Sequence, residues 1–119
     1  MNFKRADRVG ELILAEMSDI LLRVVKDPRL HTVTITAVKV TDDLRNARIY
    51  FVEMGKDDLS DEILTGLEKA KGFVRRELGH RLQLRFVPEI HFVHDASFGY
   101  GSRIDQLLAS LSKQEEDHD

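Results

Sequence analysis

The chain has no cysteine among its 119 residues. This absence excludes disulfide bonds, thiol catalysis and thiolate metal sites, and it is compatible with a reducing compartment. Residues 1–8 are charged and contain no apolar stretch of about 7–15 residues of the kind found in secretory signals. Nowhere do about 18 apolar residues follow one another without a charge, so no membrane span is predicted. These absences predict a cytoplasmic protein.

The composition is that of an ordinary folded domain, with 42% hydrophobic and 33% charged residues. A chain of this length can build one hydrophobic core and has little room for a second. We find no internal repeat and no linker in the sequence. We therefore predict a single domain over residues 1–112, followed by an acidic, disordered tail over residues 113–119.

The net charge of −3 conceals an uneven distribution of charge along the chain. Between residues 53 and 68, six acidic side chains accompany a single lysine. Between residues 69 and 85, six lysines and arginines accompany a single glutamate. The distribution of charge matters more than its sum for nucleic-acid binding, so a polyanionic partner is not excluded.

Apolar residues at steps of three and four predict two long amphipathic helices. The first covers residues 9–25 and ends before Pro28, because proline disfavours helical geometry in the residue that precedes it. The second begins after Ser60, with Gly79 as its C-cap. Gly72 lies inside this second helix. An interior glycine costs about 1 kcal/mol relative to alanine, which favours a kink there.

Three segments have the composition or the alternation of β-strands. Residues 32–41 are rich in threonine and valine, and a shift in their apolar phase near Ala37 predicts a bulge. A polar turn joins them to residues 47–53, in which Ala47, Ile49 and Phe51 are predicted to face inward and Arg48, Tyr50 and Val52 outward.

The third strand is predicted over residues 82–92, with Pro88 at an edge position or a bulge. A short final helix is predicted over residues 104–111. The inward-facing residues of the third strand are Leu82, Leu84, Phe86, Ile90 and Phe92. The predicted fold class is α+β, a three-stranded sheet with helices packed on one face. If the second and third strands are parallel, their crossover is right-handed.

Three stretches of the chain carry recognisable motifs. Residues 5–9 (Arg-Ala-Asp-Arg-Val) open the first helix, and residues 26–30 (Lys-Asp-Pro-Arg-Leu) leave it. Residues 69–76 (Lys-Ala-Lys-Gly-Phe-Val-Arg-Arg) lead to residues 84–89 (Leu-Arg-Phe-Val-Pro-Glu). In this order and spacing, which are more specific than any one motif, the stretches resemble the ribosome-binding factor A family. The resemblance covers roughly residues 3–111.

The resemblance implies a type II K-homology-like domain with the order α-β-β-α-kink-α-β and a C-terminal helix. It also implies a factor that binds the free 30S small ribosomal subunit and assists late 16S rRNA maturation near the 5′ end. In this family an Ala-x-Gly kink, here Ala70 and Gly72, replaces the Gly-x-x-Gly loop of K-homology domains. Some relatives have a longer basic C-terminus, whereas this chain ends in acidic residues.

Lysine and arginine supply most phosphate contacts, so the basic side chains are the candidate RNA-binding residues. One group flanks or follows the predicted kink, where freed backbone N–H groups can also hold an anion. A second group lies at the start of the first helix, where positive charge opposes the helix dipole. The candidates are Lys4, Arg5, Arg8, Lys69, Lys71, Arg75, Arg76, Arg81 and Arg85. Alternatively, these cations form solvated helix faces that pair with neighbouring glutamates.

Other motifs are explained more simply than by a catalytic or metal site. His91 and His94 are three residues apart on a strand, so their rings point to opposite faces and metal binding is not predicted. The loop over residues 99–102 lacks the remainder of a nucleotide-binding fingerprint. The Asp-Asp pairs at residues 42–43 and 57–58 fit turns. Tyr50 is a weaker candidate for base stacking.

We therefore predict a monomeric assembly factor without a cofactor or an enzymatic activity. A generic single-stranded RNA-binding K-homology-like protein is the alternative, and it would bind short oligonucleotides well. A small enzyme would need a pocket with perturbed titratable groups. A protein–protein adaptor would show a large exposed apolar patch and little salt dependence.

Overall fold

The structure is a computed structural model that describes residues 4–55 and 60–96. Within these ranges the elements are α1 (Arg5–Asp19), β1 (Val33–Val40), β2 (Asn46–Glu53), α2 (Asp61–Leu82) and β3 (Glu89–His94). The predicted final helix, the acidic tail, the loop over residues 99–102 and the Asp-Asp pair at residues 57–58 lie outside the described residues.

The N-terminal helix forms where the apolar periodicity predicts it. Val9, Ile13 and Met17 are buried at steps of four along α1. The helix continues as a π-helical turn over Ile20–Val24, and the chain becomes extended at Val25. A 3₁₀ turn over Pro28–Thr32 then leads into the sheet, so the predicted helix end before the proline is confirmed.

The three strands form one mixed sheet with β2 in the centre. β1 pairs antiparallel with β2, and β3 pairs parallel with β2. The register passes from the Ile35–Phe51 pair to the Ala37–Tyr50 pair, which leaves Thr36 as the extra residue of a bulge. The bulge predicted near Ala37 is therefore confirmed.

The core lies between one face of the sheet and the two helices. Ala47, Ile49 and Phe51 of β2 are buried, as their alternation predicts, and α2 contributes a continuous buried stripe. This arrangement confirms the α+β prediction of a sheet covered by helices on one face. Val52, predicted to face outward, is only 5% exposed but does not belong to the core cluster that contains Ala47, Ile49 and Phe51.

The kink predicted at Gly72 does not break the helix, because residues 61–82 form one continuous α-helix. The buried residues of this helix lie on both sides of Gly72 and pack against the same core. This packing outweighs the propensity cost of one glycine, about 1 kcal/mol. Gly79 is not the C-cap either. The helix ends at Leu82, and Gln83 takes the left-handed conformation with φ 51° and ψ 40°.

The third strand begins at Glu89, later than predicted. Residues 83–88, called here the 83–88 segment, are irregular and contain Pro88 immediately before the strand. Strand alternation therefore does not apply to this segment. Leu84 is half-buried and packs against the core, whereas Phe86 is 77% exposed, and its predicted inward position is wrong.

The two helical glycines Gly10 and Gly72 are expected to respond oppositely to alanine. A Cβ at Gly72 would meet no atom within 4 Å, so Gly72→Ala should raise the free energy of unfolding by up to about 1 kcal/mol. A Cβ at Gly10 would lie 3.2 Å from the backbone oxygen of Val38, where α1 crosses β1, so Gly10→Ala should gain less or destabilise. Urea unfolding of both variants tests this, and equal shifts would contradict it.

Asp27 and Arg29 form a local ion pair that shapes the turn after α1. The Asp27 carboxylate accepts from the Arg29 backbone N–H at 3.1 Å and from its guanidinium Nη2 at 2.7 Å. These hydrogen bonds lower the pKa of Asp27 below its ordinary 3.8. Gly66 of α2 packs against this turn, and a Cβ added there would lie 3.2 Å from the Asp27 carboxylate.

The lowered pKa gives Asp27 a contribution to stability that depends on pH. A depressed folded pKa means that the contribution is present above the unfolded value of 3.8 and is lost as pH falls through the folded pKa. Asp27→Asn should therefore be less stable than the wild type near neutral pH, and the difference should shrink in acid. Glu11→Gln, which alters an exposed carboxylate, is the control. A wild-type advantage that persists unchanged below the folded pKa would contradict this account.

Candidate nucleic-acid interface

An open groove of about 1070 Å³ lies where α1, the β1–β2 hairpin, α2 and the 83–88 segment meet. Its polar lining contains two carboxylates, Asp43 and Glu89. The groove also gathers five arginines from four different parts of the chain, and we call it the arginine groove. These arginines are Arg5, Arg45, Arg75, Arg76 and Arg85.

The hairpin holds Arg45 at one wall of the arginine groove. Asp43 accepts hydrogen bonds from the Thr41 hydroxyl at 2.6 Å and from the Arg45 backbone N–H at 3.0 Å. The Thr41 hydroxyl is the main reason that the pKa of Asp43 is lowered. Leu44 has a φ of 62° and packs against the core, which anchors the turn from below. The Asp-Asp pair here is explained by turn geometry, as predicted.

Arg75 binds other parts of the protein. Its Nη2 donates to the carbonyl oxygen of Val87 at 2.8 Å, and its Nε donates to that of Pro88 at 3.3 Å. The same guanidinium lies 3.2 Å from the Glu89 carboxylate. Arg75 therefore fixes the position of the 83–88 segment, and its charge is largely compensated by Glu89.

Arg5, Arg76 and Arg85 are exposed in the arginine groove and have no ion pair within the described part of the chain. The guanidinium carbon of Arg85 lies 5.6 Å from the centre of the Phe86 ring, within cation–π range. Three cations free of carboxylates thus converge on one open surface, which is the arrangement that attracts an anion.

The structure distributes the other predicted cations over different surfaces. Lys4 lies 3.6 Å from Asp42, and Lys71 lies 2.9 Å from Glu68. Arg8 and Lys69 are exposed but do not line the arginine groove.

Arg81 joins α2 to α1. Its Nη1 donates to Asp19 at 2.7 Å and to Glu16 at 2.9 Å, and these bonds raise its pKa. Arg81 therefore has the surroundings of a structural residue.

Ala70 and Gly72, the residues of the predicted Ala-x-Gly kink, have different surroundings in the structure. Ala70 is buried in the core, whereas Gly72 is exposed and lines the arginine groove. Because α2 is continuous, the backbone N–H groups near Gly72 are not freed, and an anion site built from them is excluded. The part of the predicted anion site that remains is the group of cationic side chains around Gly72 on the surface of α2.

Sequence reasoning missed Arg45 and Phe86. Arg45 follows a polar turn, and nothing in the sequence indicates that this turn lies beside α2. Phe86 continues the alternation of a strand, and that signal assigned it to the core. In the structure β3 begins only at Glu89, the preceding residues are irregular, and Phe86 is exposed.

The two histidines of the third strand are explained by local contacts. His91 Nε2 lies 2.9 Å from the Asn46 side-chain oxygen, and the His94 ring packs edge-on against Phe51. Across residues 4–55 and 60–96, no group of three potential metal ligands is found. No helix in those ranges is both long and apolar enough to cross a bilayer.

The fold and the groove together define a class of protein, a small α+β domain whose open groove is lined by exposed arginines without an ion pair among the described residues. A family model described as ribosome-binding factor A matches residues 5–108. The chain belongs to the ribosome-binding factor A family.

Relatives and solved structures agree with this assignment. Ribosome-binding factor A of Syntrophus aciditrophicus is 59% identical over 114 residues, which cover 96% of this chain and 93% of the relative. The crystal structure of ribosome-binding factor A from Thermus thermophilus matches with a TM-score of 0.58 at 20% identity, over 78% of this chain and 97% of that one.

A further match is a homology model of the Thermus thermophilus factor fitted into a cryo-EM map of a 30S–RbfA complex. It has a TM-score of 0.54 at 22% identity, over 69% of this chain and 90% of that one. These two structural likenesses concern the fold.

Proposed function

We propose that the chain binds the free small ribosomal subunit through the arginine groove and assists late maturation of 16S rRNA, including its 5′-end region. The observation that carries this proposal is the convergence of Arg5, Arg76 and Arg85 without compensating carboxylates in the described structure. The family of the chain and the 30S complex of a structural relative supply the partner.

The mechanism that we propose is binding without covalent chemistry. A protein shifts a conformational equilibrium of RNA only by the difference in its affinity for the two states. The arginine groove would grip one arrangement of rRNA phosphates that occurs during maturation, and so increase the population of that arrangement. The protein would act as a monomer in the cytoplasm, with residues 1–112 as the binding domain and the acidic tail outside it.

Co-sedimentation with purified ribosomal particles tests the partner. The purified chain is mixed with small subunits, large subunits and intact ribosomes, each at a low and a high salt concentration. We expect the chain to sediment with free small subunits, and binding to weaken as salt rises, because phosphate contacts release counterions. Equal binding to all three particles, or binding insensitive to salt, would contradict the proposal.

Primer extension on 16S rRNA tests the maturation step. In cells depleted of this protein, we expect 16S rRNA with an extended 5′ end to accumulate, and the wild-type chain to remove that extension. A variant with Arg5, Arg76 and Arg85 replaced by glutamine should fail to rescue, although it folds. Normal 5′ ends in depleted cells would contradict a role in processing. Binding to the small subunit would not be affected by that result, because the sedimentation experiment tests it separately.

A further inference from the structure

Phe86 exposes its aromatic ring to water. Its side chain is 77% exposed, whereas Phe51 and Phe92 are buried. An exposed aromatic ring forgoes the hydrophobic stabilisation that burial provides. Its neighbours in the 83–88 segment behave differently, because Leu84 and Val87 pack against the core.

Contacts with α2 hold the 83–88 segment in place, so the exposed position of the Phe86 ring is defined by the fold. Arg75 holds the carbonyl oxygens of Val87 and Pro88. Gly79 of α2 lets Val87 approach closely, since a Cβ there would lie 2.9 Å from the Val87 side chain. Pro88 is fully buried. These ties orient Phe86 before any ligand arrives, which lowers the entropic cost of using it.

The surroundings of the ring are cationic. Phe86 lines the arginine groove, with the Arg85 guanidinium 5.6 Å from the ring centre and Arg76 on the same surface. A protein partner that buried this ring would also have to bury or pair these arginines. An unpaired nucleotide matches both features, since its base has a flat face for the ring and its phosphates are anions for the arginines.

We propose that Phe86 is a stacking platform for one unpaired RNA base, with Arg76 and Arg85 holding the phosphates beside it. This proposal rests on the proposed function and adds to it the kind of RNA that the arginine groove selects. The groove distinguishes single-stranded or bulged nucleotides from a continuous duplex, whose bases are stacked on one another and cannot reach the ring.

The chain contains no tryptophan, so Phe86→Trp places a single fluorescent reporter at the proposed platform. The probes are oligoadenylate RNA and inorganic polyphosphate, which carries the anionic charge without bases. We expect oligoadenylate to quench the fluorescence of the new tryptophan, and polyphosphate to compete for binding without quenching it. The control is Leu22→Trp, at a residue 54% exposed that does not line the arginine groove. It should respond to neither probe.

Affinity measurements with substitutions at Phe86 give a second readout. Removing a stacking ring should weaken oligoadenylate binding by roughly 5- to 150-fold in Phe86→Ala. Phe86→Leu keeps an apolar side chain without the ring and should lose nearly as much, whereas Phe86→Tyr should bind as the wild type does. Thermal unfolding of each variant separates a loss of binding from a loss of folding, and an exposed position is expected to leave stability unchanged.

The outcomes separate this proposal from the proposed function. If small subunits and oligoadenylate bind wild type and Phe86→Leu equally, the stacking platform is overturned while subunit binding stands. If Phe86→Trp responds to small subunits but to neither oligoadenylate nor purified 16S rRNA, the platform is again overturned. If the wild type sediments with no small subunits, the proposed function itself fails.

Discussion

Replacing Arg5, Arg76 and Arg85 together with glutamine is expected to weaken binding to the small subunit by about 100-fold at about 0.1 M salt. All three are exposed in the arginine groove and have no ion pair among the described residues. The other two arginines of the groove differ, because Arg75 pairs with Glu89 and Arg45 follows the turn that Asp43 stabilises. Each phosphate contact that is lost should also reduce the slope of log affinity against log salt by nearly one. The triple variant should therefore show a slope shallower by about two to three.

A second triple variant controls for net charge. Arg23, Lys26 and Lys39 are exposed and do not line the arginine groove, so replacing them with glutamine changes the net charge equally at other places. We expect this variant to keep most of the wild-type affinity and slope. An equal loss in both triple variants would show that the total charge matters and that the arginine groove does not.

Phe51→Ala is expected to lower the free energy of unfolding by about 3–5 kcal/mol. Phe51 is 1% exposed, lies on the central strand, and meets the Phe92 ring edge-on at 6.4 Å between ring centres. Its removal leaves a cavity between the sheet and both helices, and strands on either side lose a packing partner. Domains of this kind are stable by only about 5–15 kcal/mol in total.

Urea unfolding followed by circular dichroism measures this change. Leu12→Ala is the matched control, because Leu12 is 50% exposed on α1, and a surface substitution typically changes stability by less than about 0.5 kcal/mol. A loss below about 1 kcal/mol for Phe51→Ala would mean that the core does not depend on the central strand as described.

The sequence predicted those features that depend on local periodicity. The inward residues of β2 follow the two-residue repeat of a strand, and the buried residues of α1 follow the helical repeat. The bulge was visible as a shift of apolar phase, because an extra residue reverses which positions face the core. In each case neighbouring residues are sufficient to determine the outcome.

The features that were missed depend on contacts between distant residues. Packing on the core holds α2 together across Gly72. After Gln83 the chain is irregular up to residue 88, so the strand alternation that predicted an inward Phe86 does not apply there. Arg75 was grouped with Arg76 because they are adjacent, yet only the structure shows that Arg75 donates to the carbonyls of Val87 and Pro88.

The same limit applies to the candidate site. Charge clustering in the sequence indicated residues 69–85 and the start of α1, and the structure brings Arg5, Arg76 and Arg85 to one surface. It also directs Arg81 to two carboxylates of α1. A sequence gives the positions of cations along the chain, whereas the identity of their partners requires the tertiary structure.

Site-specific photo-crosslinking tests the central claim most directly. A photoreactive phenylalanine analogue is placed at position 86 in the arginine groove or at position 22, which is exposed outside it, and each protein is irradiated on small subunits. We predict crosslinks to 16S rRNA from position 86 and none from position 22. RNA crosslinks from position 22 alone, or only protein crosslinks from position 86, would contradict the claim that this groove binds ribosomal RNA.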